Sequence, residues 1–438
     1  MPRKLLPILL TMAAIGHGET IVLRNFTLID GSGGAAIPKA GMVIVDGRIQ
    51  AAGPVDQVAA PKDAKVVDLS GKYVMPGIIN LHGHLGNVVD LTQDPKNFTR
   101  ANVEAQLKTY AQYGVTAVLS MGSDQPLIYD LRAAQRKGRP AMARIFTAGK
   151  GFTGPAGYPT SAPGMKGVPY EVSSAAEALK AMEELAPKNP DFVKIWVDDH
   201  LGKEKKIPTE ISAAIIAAAK KKGFRTCAHI FYYADAKALA EKGLYACAHS
   251  VRDRDVDDAL IQTMKKNGTW QLGTLVRELS TFVFSKPAPF LNDPFFTMSV
   301  NKGVRDTLSS DAYLKKQQGD KDLPKYPGFL ATAQKNLKKL YDAGVRVGFA
   351  TDSGPPARFS GFFEHKEMEL MAQAGFTPAQ IISIFSKNSA EFLGWQKDLG
   401  TLEKGHWADL VVLTKNPLAD IRNAQSIDSV YIAGNKVR

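Results

Sequence analysis

Short stretches of alternating hydrophobic and polar residues, separated by tight turns, occupy both ends of the chain. Near the beginning, segments 42–45 and 48–51 flank an Asp-Gly dipeptide, which is typical of a two-residue β-hairpin turn. Similar apolar strands end in a Gly-Asn turn near the last residue, and no helical pattern lies between them. We therefore predict one small β-sandwich domain that is assembled from residues 19–73 and 401–438.

Residues 74–400 follow a different pattern, in which a helical segment ends at a glycine and a short apolar strand follows. Segment 97–113, for example, ends at Gly114 before the apolar strand 115–120. Glycine suits this place because it readily adopts the left-handed conformation that ends a helix. Five strands are predicted in this way, at 115–120, 226–229, 244–249, 269–272 and 345–351. The apolar stretches 78–81, 144–147 and 192–197 bring the number of predicted strands to eight.

Eight strands that alternate with helices predict an α/β fold, namely a closed (β/α)8 or TIM barrel over residues 74–400. A doubly wound open sheet is the alternative architecture. It is disfavoured because no glycine-rich phosphate-binding fingerprint follows the first strand. In a barrel of this kind, the catalytic side chains lie at the carboxyl ends of the strands.

The predicted strand ends carry many side chains that can bind metal ions. Four of the eight histidines fall there, and His82 and His84 point to the same side of the first strand. Lys194 lies within an apolar strand, where an unpaired ammonium group is costly to bury. Taken singly, each residue has an ordinary structural explanation, such as a core histidine or a capping aspartate. Their joint position predicts a divalent metal site formed by His82, His84, Lys194, His229, His249 and Asp352.

Two segments resemble the amidohydrolase superfamily. The sequence VMPGIINLHGH at 74–84 resembles the first-strand motif of that superfamily, and segment 402–418 resembles its closing strands. The similarity extends over nearly the whole chain and is greatest to the imidazolonepropionase- and prolidase-like group, in which the fourth-strand lysine is carboxylated. The sequence departs from the pattern at Asn80, where the superfamily usually has aspartate.

The resemblance implies a binuclear metal centre, with zinc as the expected metal. His82, His84 and Asp352 would hold the first ion, and His229 and His249 would hold the second. A carbamate formed by Lys194 and carbon dioxide would bridge them, which would remove the buried positive charge. Two such ions could share a hydroxide and polarise a substrate carbonyl, while the aspartate acts first as general base and then as acid. A mononuclear site is the alternative.

Residues that contact the substrate are harder to identify from the sequence. Tyr232 and Tyr233 follow the fifth strand and could hydrogen-bond a tetrahedral oxyanion, while Arg252 follows the sixth and could bind a substrate carboxylate. Pairing of Arg252 and Arg254 with neighbouring aspartates is the alternative. We also expect the phenylalanine-rich segment 279–326 to form an apolar cover over the site.

These features predict a metal-dependent hydrolase that cleaves a C–N amide bond, with dipeptides or N-acyl amino acids as the expected substrates. Cyclic amides, lactones and phosphotriesters are alternatives, because a fold and its metals restrict the electrophile only loosely. A non-catalytic secreted binding protein is a further alternative. It is disfavoured because Lys194 and Asp352 are both intact.

Composition restricts the partners further. Hydrophobic residues make up 45% and charged residues 22% of the chain, as in an ordinary globular protein. The net charge is +12, but the lysines are spread along helical segments and no nucleic-acid-binding spacing accompanies them. We therefore expect a small-molecule substrate and no nucleic acid. The two cysteines provide no disulfide framework, and the sequence leaves homo-oligomerisation open.

The first residues resemble an export signal. Arg3 and Lys4 precede an apolar run over 5–15 that is too short to span a bilayer. We therefore expect residues 1–18 to be a signal peptide. The mature protein would be periplasmic or secreted, without membrane attachment after the leader is removed. A cytoplasmic enzyme with an N-terminal extension is the alternative.

Overall fold

A computed structural model of the protein describes residues 19–438. The expected leader over residues 1–18 lies outside the described residues. Within the described part, no helix has the length and apolar character needed to cross a bilayer. In chain order the strands are β1 (Thr20–Leu28), β2 (Ile37–Val45), β3 (Arg48–Pro54), β4 (Lys65–Asp68), β5 (Tyr73–Pro76), β6 (Ile78–Gly83), β7 (Val88–Val89), β8 (Thr92–Gln93), β9 (Val115–Ser120), β10 (Arg144–Thr147), β11 (Phe152–Thr153), β12 (Tyr170–Glu171), β13 (Val193–Trp196), β14 (Thr226–His229), β15 (Ala246–Cys247), β16 (Trp270–Leu272), β17 (Val347–Gly348), β18 (Leu410–Leu413), β19 (Ile427–Ile432) and β20 (Asn435–Lys436).

The α-helices lie mainly between the parallel strands of the central region. In chain order they are α1 (Arg100–Gln112), α2 (Leu127–Arg136), α3 (Ala175–Leu185), α4 (Thr209–Lys221), α5 (Tyr233–Glu241), α6 (Asp258–Asn267), α7 (Leu275–Ser280), α8 (Pro294–Thr297), α9 (Lys302–Ser309), α10 (Asp311–Gln318), α11 (Tyr326–Asp342), α12 (Phe362–Gln373), α13 (Pro378–Ser383) and α14 (Ser389–Leu393).

Strands from both ends of the described chain form one eight-stranded sheet. Its order is β20-β19-β18-β5-β1-β2-β3, and β4 also pairs with β1. Strand β18 runs antiparallel to β5, with Val412 opposite Val74. Alternate side chains from both ends, among them Leu23, Met42 and Leu410, share one buried core. We refer to this structure as the terminal β-unit.

Parallel strands form the central α/β unit between β5 and β18. One sheet has the order β10-β9-β6, and a second contains the run β13-β14-β15-β16-β17. Backbone hydrogen bonds join the two sheets at both edges. Asp191 N donates to Thr147 O at the end of β10, and Leu81 N on β6 donates to Phe349 O beyond β17, each at 2.8 Å. The predicted α/β character is confirmed, and the order of hydrogen bonding is the order that a (β/α)8 barrel requires.

Local turn chemistry sets where the strands of this unit begin. Helix α5 is followed by Gly243 at φ 84°, and helix α6 ends at Gly268 with φ 66°. At its other end, α6 begins where the Asp257 side chain accepts a hydrogen bond from Leu260 N. These caps return the chain to the next parallel strand, so that the carboxyl ends of β6, β13, β14 and β15 lie at one end of the unit.

The segment 279–326 folds differently from the sequence expectation. It contains helices α8, α9 and α10, and three of its phenylalanines, Phe290, Phe295 and Phe296, pack against Phe362 of α12. The rings of Phe290 and Phe296 lie 5.0 and 4.8 Å from the ring of Phe362, and Phe296 is fully buried. The expected apolar cover is therefore wrong for these residues. They fill an aromatic core between the segment and α12, because mutual burial removes large apolar rings from water.

Candidate metal centre

Four histidine rings and one carboxylate converge where the strands end. The ring centroids of His82 and His84 are 5.3 Å apart, those of His82 and His249 are 4.9 Å apart, and those of His229 and His249 are 4.1 Å apart. Asp352 Oδ1 lies 3.0 Å from His84 Nε2 and 3.6 Å from His82 Nε2. The structure thus brings together side chains from four separate segments. We refer to these five residues with Lys194 as the metal cluster.

Lys194 projects from β13 into this group. It is fully buried, and its Nζ lies 3.3 Å from His82 Nε2 and 5.4 Å from the centre of the Trp196 ring. Burial lowers the pKa of the Lys194 ammonium to about 8. The neutral amine, which is the nucleophilic form, is therefore much more populated near neutral pH than in an exposed lysine.

Each histidine of the cluster is oriented by a hydrogen bond of its second ring nitrogen. Such bonds fix the ring and direct the other nitrogen toward a metal. The four pairs are His82 Nδ1 with Ala248 O (3.1 Å), His84 Nδ1 with Ser123 Oγ (2.8 Å), His249 Nδ1 with Thr274 Oγ1 (2.6 Å) and His229 Nε2 with Asp198 Oδ2 (2.8 Å). This leaves Nε2 of the first three rings, and Nδ1 of His229, as the nitrogens available to a metal.

One nitrogen shows most directly that the cluster fits a cation. His249 Nε2 is buried and has no hydrogen-bond partner within the described part of the chain. A buried polar atom without a partner is costly, and a metal ion would satisfy it. Ligand atoms of His82, His249 and Asp352 all lie within 4.8 Å of one another. This set of imidazole nitrogens and carboxylate oxygen suits zinc or a similar divalent ion.

The protonation states of the cluster also suit a metal. Burial lowers the pKa of His229 to about 4 and lowers those of His82 and His249 well below their ordinary values. Although burial alone would raise it, Arg358 and the neighbouring histidines hold the pKa of Asp352 well below its usual range. Neutral imidazoles and an ionised carboxylate are the forms that bind divalent ions.

Asp352 is held in place from two sides. Its backbone lies in the left-handed region, at φ 60°, and its N–H donates to His82 O at 2.7 Å. Its Oδ2 accepts a hydrogen bond from Arg358 Nη1 at 2.5 Å. Arg358 was not predicted from the sequence, although the Gly354-Pro355-Pro356 stretch between the two residues is a turn signal. Because Arg358 binds Oδ2 of Asp352, the other oxygen, Oδ1, is directed at His82 and His84.

Asn80 lies directly behind the ligands, at the position where the sequence departs from the superfamily pattern. Its Nδ2 donates to Glu364 Oε1 (2.7 Å) and to Thr351 Oγ1 (2.9 Å), and its Oδ1 accepts from His82 N (3.0 Å). Glu364 Oε1 also accepts from Ser353 Oγ at 2.6 Å. The network around residue 80 thus contains a carboxylate, but this carboxylate belongs to Glu364 of helix α12. Residue 80 itself supplies the hydrogen-bond donor.

A cleft opens onto the metal cluster. His82, His84, His229 and Asp352 form part of its wall, which makes the cluster accessible to a small molecule. The ring of Tyr158 lies 5.1 Å from that of His229. The remaining wall is mainly apolar and aromatic, with contributions from Leu85, Val88, Pro159, Ala162, Met165 and Trp196.

The two tyrosines predicted to contact the substrate lie outside this wall. Tyr232 donates its hydroxyl hydrogen bond to Asp199 Oδ1 at 2.8 Å, and Tyr233 donates to Asp257 Oδ1 at 2.6 Å. Neither is among the residues that line the cleft in the described structure. A role in substrate binding therefore stays a prediction for both. Tyr158, in the loop after β11, lies nearer to the histidines.

Arg252 is buried beneath the same end of the central unit. Its Nη1 donates to Ile230 O (2.8 Å) and Ser250 O (3.0 Å), and its Nε lies 3.0 Å from Glu278 Oε1. The guanidinium thus pairs with a glutamate from α7 and not with the neighbouring aspartates. Its predicted role as a substrate clamp stays a prediction. Arg254 does lie 3.8 Å from Asp257 at the surface.

Sequence reasoning also missed Asp198, which orients His229. The only signal was an acidic residue directly after the strand that carries Lys194.

The chain is similar to known proteins in sequence and in fold. The model of the amidohydrolase family matches residues 73–437. The dihydroorotase of Caldanaerobacter subterraneus subsp. tengcongensis is 31% identical over 141 residues, which are 31% of this chain and 30% of that enzyme. The 5-methylthioadenosine/S-adenosylhomocysteine deaminase of Bacillus cereus is 22% identical over 411 residues, covering 85% of this chain and 80% of that enzyme. A crystal structure of a Xaa-Pro dipeptidase with bound methionine shares the fold, with a TM-score of 0.74, 20% identity, and coverage of 95% of this chain and 99% of that one.

Proposed function

This chain belongs to the amidohydrolase family, and we propose that it hydrolyses the C–N amide bond of dipeptides or N-acyl amino acids. The proposal includes a closed (β/α)8 barrel and a binuclear metal centre at its carboxyl end. The observation that carries it is His249 Nε2, a buried nitrogen that has no hydrogen-bond partner among residues 19–438 and lies near other metal-binding groups. Such an atom is stabilised by a cation, and a metal-dependent hydrolase supplies one.

The residues divide naturally between two ions. His82, His84 and Asp352 would hold one, and His229 and His249 would hold the other. Bound divalent ions supply Lewis acidity to the substrate carbonyl and acidify a water molecule. Asp352 would move the proton of the attacking water to the leaving nitrogen, since its Oδ1 faces the cluster while Arg358 holds its Oδ2.

The bridge between the two sites would be Lys194 as a carbamate. Its neutral amine would attack carbon dioxide, form an N–C bond and release one proton, which leaves a carboxylate on the nitrogen. Three observations support this modification: complete burial, a lowered pKa of about 8, and a position 3.3 Å from a predicted ligand nitrogen. A carboxylate at this place would convert a repulsive charge into a ligand.

The preference for dipeptides or N-acyl amino acids rests on the cleft. Its mainly apolar wall suits a small amide, and Arg358 adds one cation beside Asp352. The likeness in fold to a Xaa-Pro dipeptidase agrees with this preference. Cyclic amides are the second candidate class, because the matching part of the dihydroorotase is 31% identical to this chain.

The test combines metal analysis with turnover. Protein prepared with zinc and bicarbonate should contain two ions per chain and should hydrolyse members of a panel of dipeptides and N-acyl amino acids. His249→Ala should lose one ion and at least ~100-fold in kcat/KM, because one metal site loses a ligand. His406→Gln is the matched control, since His406 lies beside the terminal β-unit and contacts Thr401.

Two outcomes would contradict the proposal at different levels. Turnover confined to lactones or phosphotriesters would exclude the amide substrates while leaving the metal centre intact. Unchanged metal content in His249→Ala would instead show that the cluster is not the metal site. Carbamate formation is checked separately, by a carbon-13 signal from labelled bicarbonate that Lys194→Ala abolishes.

A further inference from the structure

We infer that a cavity between the terminal β-unit and the central α/β unit binds a small aromatic anion, meaning a flat ring that carries one carboxylate or phosphate group. The inference comes from the juxtaposition of two tryptophan rings and three guanidinium groups in one wall, and it does not depend on the proposed substrate. The arginine–tryptophan cavity, as we call it, is lined among others by Arg48, Arg136, Arg144, Trp395, Asp398 and Trp407.

The arginine–tryptophan cavity lies at the end of the central unit that is opposite to the metal cluster. Arg144 is the first residue of β10, and Arg136 is the last residue of α2, the helix that precedes β10. Both therefore lie near the amino ends of the parallel strands, whereas the cluster lies at their carboxyl ends. The terminal β-unit contributes Arg48, the first residue of β3. Among the described residues, none lines both this cavity and the cleft at the metal cluster.

The two tryptophans are joined through Asp398. Asp398 N donates to Trp395 O, and Trp407 N donates to Asp398 O, each at 2.9 Å. The ring of Phe146 meets the Trp395 ring edge to face at 5.3 Å. Trp395 and Trp407 are only partly buried, so each keeps exposed surface in the cavity wall. Aromatic surfaces of this kind bind flat apolar groups by stacking.

The arginines lie against these rings. Arg48 Cζ is 4.0 Å from the centre of the Trp407 ring, and Arg144 Cζ is 5.1 Å from the same centre. Arg136 Cζ is 5.6 Å from the centre of the Trp395 ring. A guanidinium that contacts a ring through its face keeps its N–H groups in its own plane, where an acceptor can reach them. The rings thus hold positive charge beside exposed aromatic surface.

Arg136 has to share its carboxylate partner. Its Nη2 donates to Asp191 Oδ1 at 2.6 Å, while Arg132 Nη1 donates to Asp191 Oδ2 at 2.7 Å. Asp191 Oδ2 also accepts from the backbone N–H of Thr147 at 2.9 Å. Within the described residues, Arg136 makes no other side-chain hydrogen bond, and its side chain is 36% exposed. Its Nε and Nη1 therefore remain for an incoming anion.

The arginines around the cavity carry one surplus positive charge. Arg144 pairs with Asp409 through two hydrogen bonds, and Arg48 Nη2 lies 2.8 Å from Asp398 Oδ1. With the shared Asp191, three carboxylates thus serve four guanidinium groups, those of Arg48, Arg132, Arg136 and Arg144. A carboxylate or phosphate is the group that such forks bind best. An aromatic anion would supply the missing negative charge while its ring covers the indoles.

Calorimetric titration of the metal-loaded full chain tests the inference with matched probes. Benzoate and phenyl phosphate carry both a ring and a negative charge, benzamide lacks the charge, and inorganic phosphate lacks the ring. The two aromatic anions should each bind at least ~10-fold more tightly than benzamide or inorganic phosphate, because these lose one of the two kinds of contact. The tighter of the two aromatic anions identifies the charged group that the cavity prefers.

Arg136→Gln should weaken the binding of both aromatic anions ~10- to 100-fold, the effect expected for a lost hydrogen bond between charged groups. This variant leaves no carboxylate unpaired, because Asp191 keeps Arg132 as its partner. Arg254→Gln is the matched control, since the Arg254 side chain is 58% exposed and pairs only loosely with Asp257. It should leave the affinity for both aromatic anions unchanged.

Asp398→Asn should act in the opposite direction, so that a loss of folded protein cannot explain the result. Removing the carboxylate that competes for Arg48 should tighten the binding of benzoate about 2- to 5-fold, the range for a partly exposed ion pair. Trp395→Leu should weaken the binding of benzoate ~3- to 10-fold, because one stacking surface is lost. It should leave the affinity for inorganic phosphate unchanged.

Several results would overturn the inference: no binding of either aromatic anion to the parent, equal affinity for benzoate and benzamide, or unchanged affinity for both aromatic anions in Arg136→Gln. Weaker binding of benzoate in Asp398→Asn would contradict it as well. Any binding of a probe at the metal cluster persists in these variants and does not alter the comparison. Absent turnover bears only on the proposed function, since no residue of the metal cluster lines this cavity.

Discussion

Asn80 donates hydrogen bonds to Glu364 and Thr351 and accepts one from the backbone N–H of His82. At the scale of single residues, this explains why an amide occupies a position at which the superfamily usually has aspartate. An aspartate here would face the carboxylate of Glu364, whose pKa burial already raises. Two buried carboxylates in contact cannot both ionise without a large cost.

Replacing Asn80 by aspartate should make stability depend strongly on pH. In Asn80→Asp, the second carboxylate raises the folded-state pKa of the pair above the unfolded value. Stability is then intact below the unfolded pKa, near 4, and is lost as pH rises through the folded pKa. We expect a loss of about 3 kcal/mol at pH 8 and much less at pH 5. Urea unfolding of chelator-treated protein at the two pH values measures this difference.

Asn25→Asp is the matched control, because Asn25 Nδ2 donates to Asp68 at 2.8 Å in an exposed pair. Solvent screens that pair, so its substitution should change stability by less than about 1 kcal/mol at either pH. A loss in Asn80→Asp that is equal at pH 5 and pH 8 would show that shape, and not charge, determines the residue at this position.

The proposed metal ligands are easier to identify from the sequence than the residues that orient those ligands. His82, His84, His229 and His249 could be identified because chemistry and strand position coincide in each. Glu364 and Arg358 could not, since each reaches the cluster from a loop or helix whose path depends on tertiary packing. The structure brings the first group together and adds the second.

At the scale of whole elements, a glycine ends several of the predicted helices. Gly243 follows α5 at φ 84°, and a Cβ at this position would meet no atom within 4 Å. Substitution there therefore tests backbone conformation alone. Gly243→Ala should cost about 1–2 kcal/mol, because an L-residue is strained in the left-handed region.

Gly138 provides the comparison, since it also has open space around its Cβ but lies outside the positive-φ region. Gly138→Ala should be neutral or stabilising by up to about 1 kcal/mol, because alanine restricts the unfolded chain. Melting temperatures of both variants check the pair of expectations. Equal effects at the two positions would show that the left-handed turn after α5 is not what ends the helix.

Helix ends of this kind are local, which is why the sequence predicted β9 and β14 with the bounds that the structure shows. The segment 279–326 depends on distant contacts instead. Its phenylalanines would suit a cover or a core equally well, and only the position of α12 decides between them. Periodicity and turn chemistry therefore predict elements, but they do not predict which apolar surface an isolated aromatic segment will contact.

At the scale of the whole molecule, one buried ion pair connects the central unit to the terminal β-unit. Arg144, the first residue of β10, donates Nε to Asp409 Oδ2 (2.8 Å) and Nη2 to Asp409 Oδ1 (3.0 Å). Both side chains are less than one-tenth exposed, and Asp409 also accepts from Ala433 N at 2.6 Å. The pair joins residues 265 positions apart in the chain.

This pair should make the two units unfold together. Arg144→Gln or Asp409→Asn alone should cost about 3–5 kcal/mol, because each leaves one buried charge without its partner. The double variant should cost clearly less than the sum of the two single variants, since no unpaired charge then remains.

The control cycle uses the ion pair of Lys72 and Asp428. This partly exposed pair, at 2.7 Å, also joins the two chain ends. Each of its single variants should change stability by about 1 kcal/mol or less. Urea titrations of all six variants and the parent give both coupling energies, and equal coupling in the two cycles would show that burial adds nothing to the Arg144–Asp409 connection.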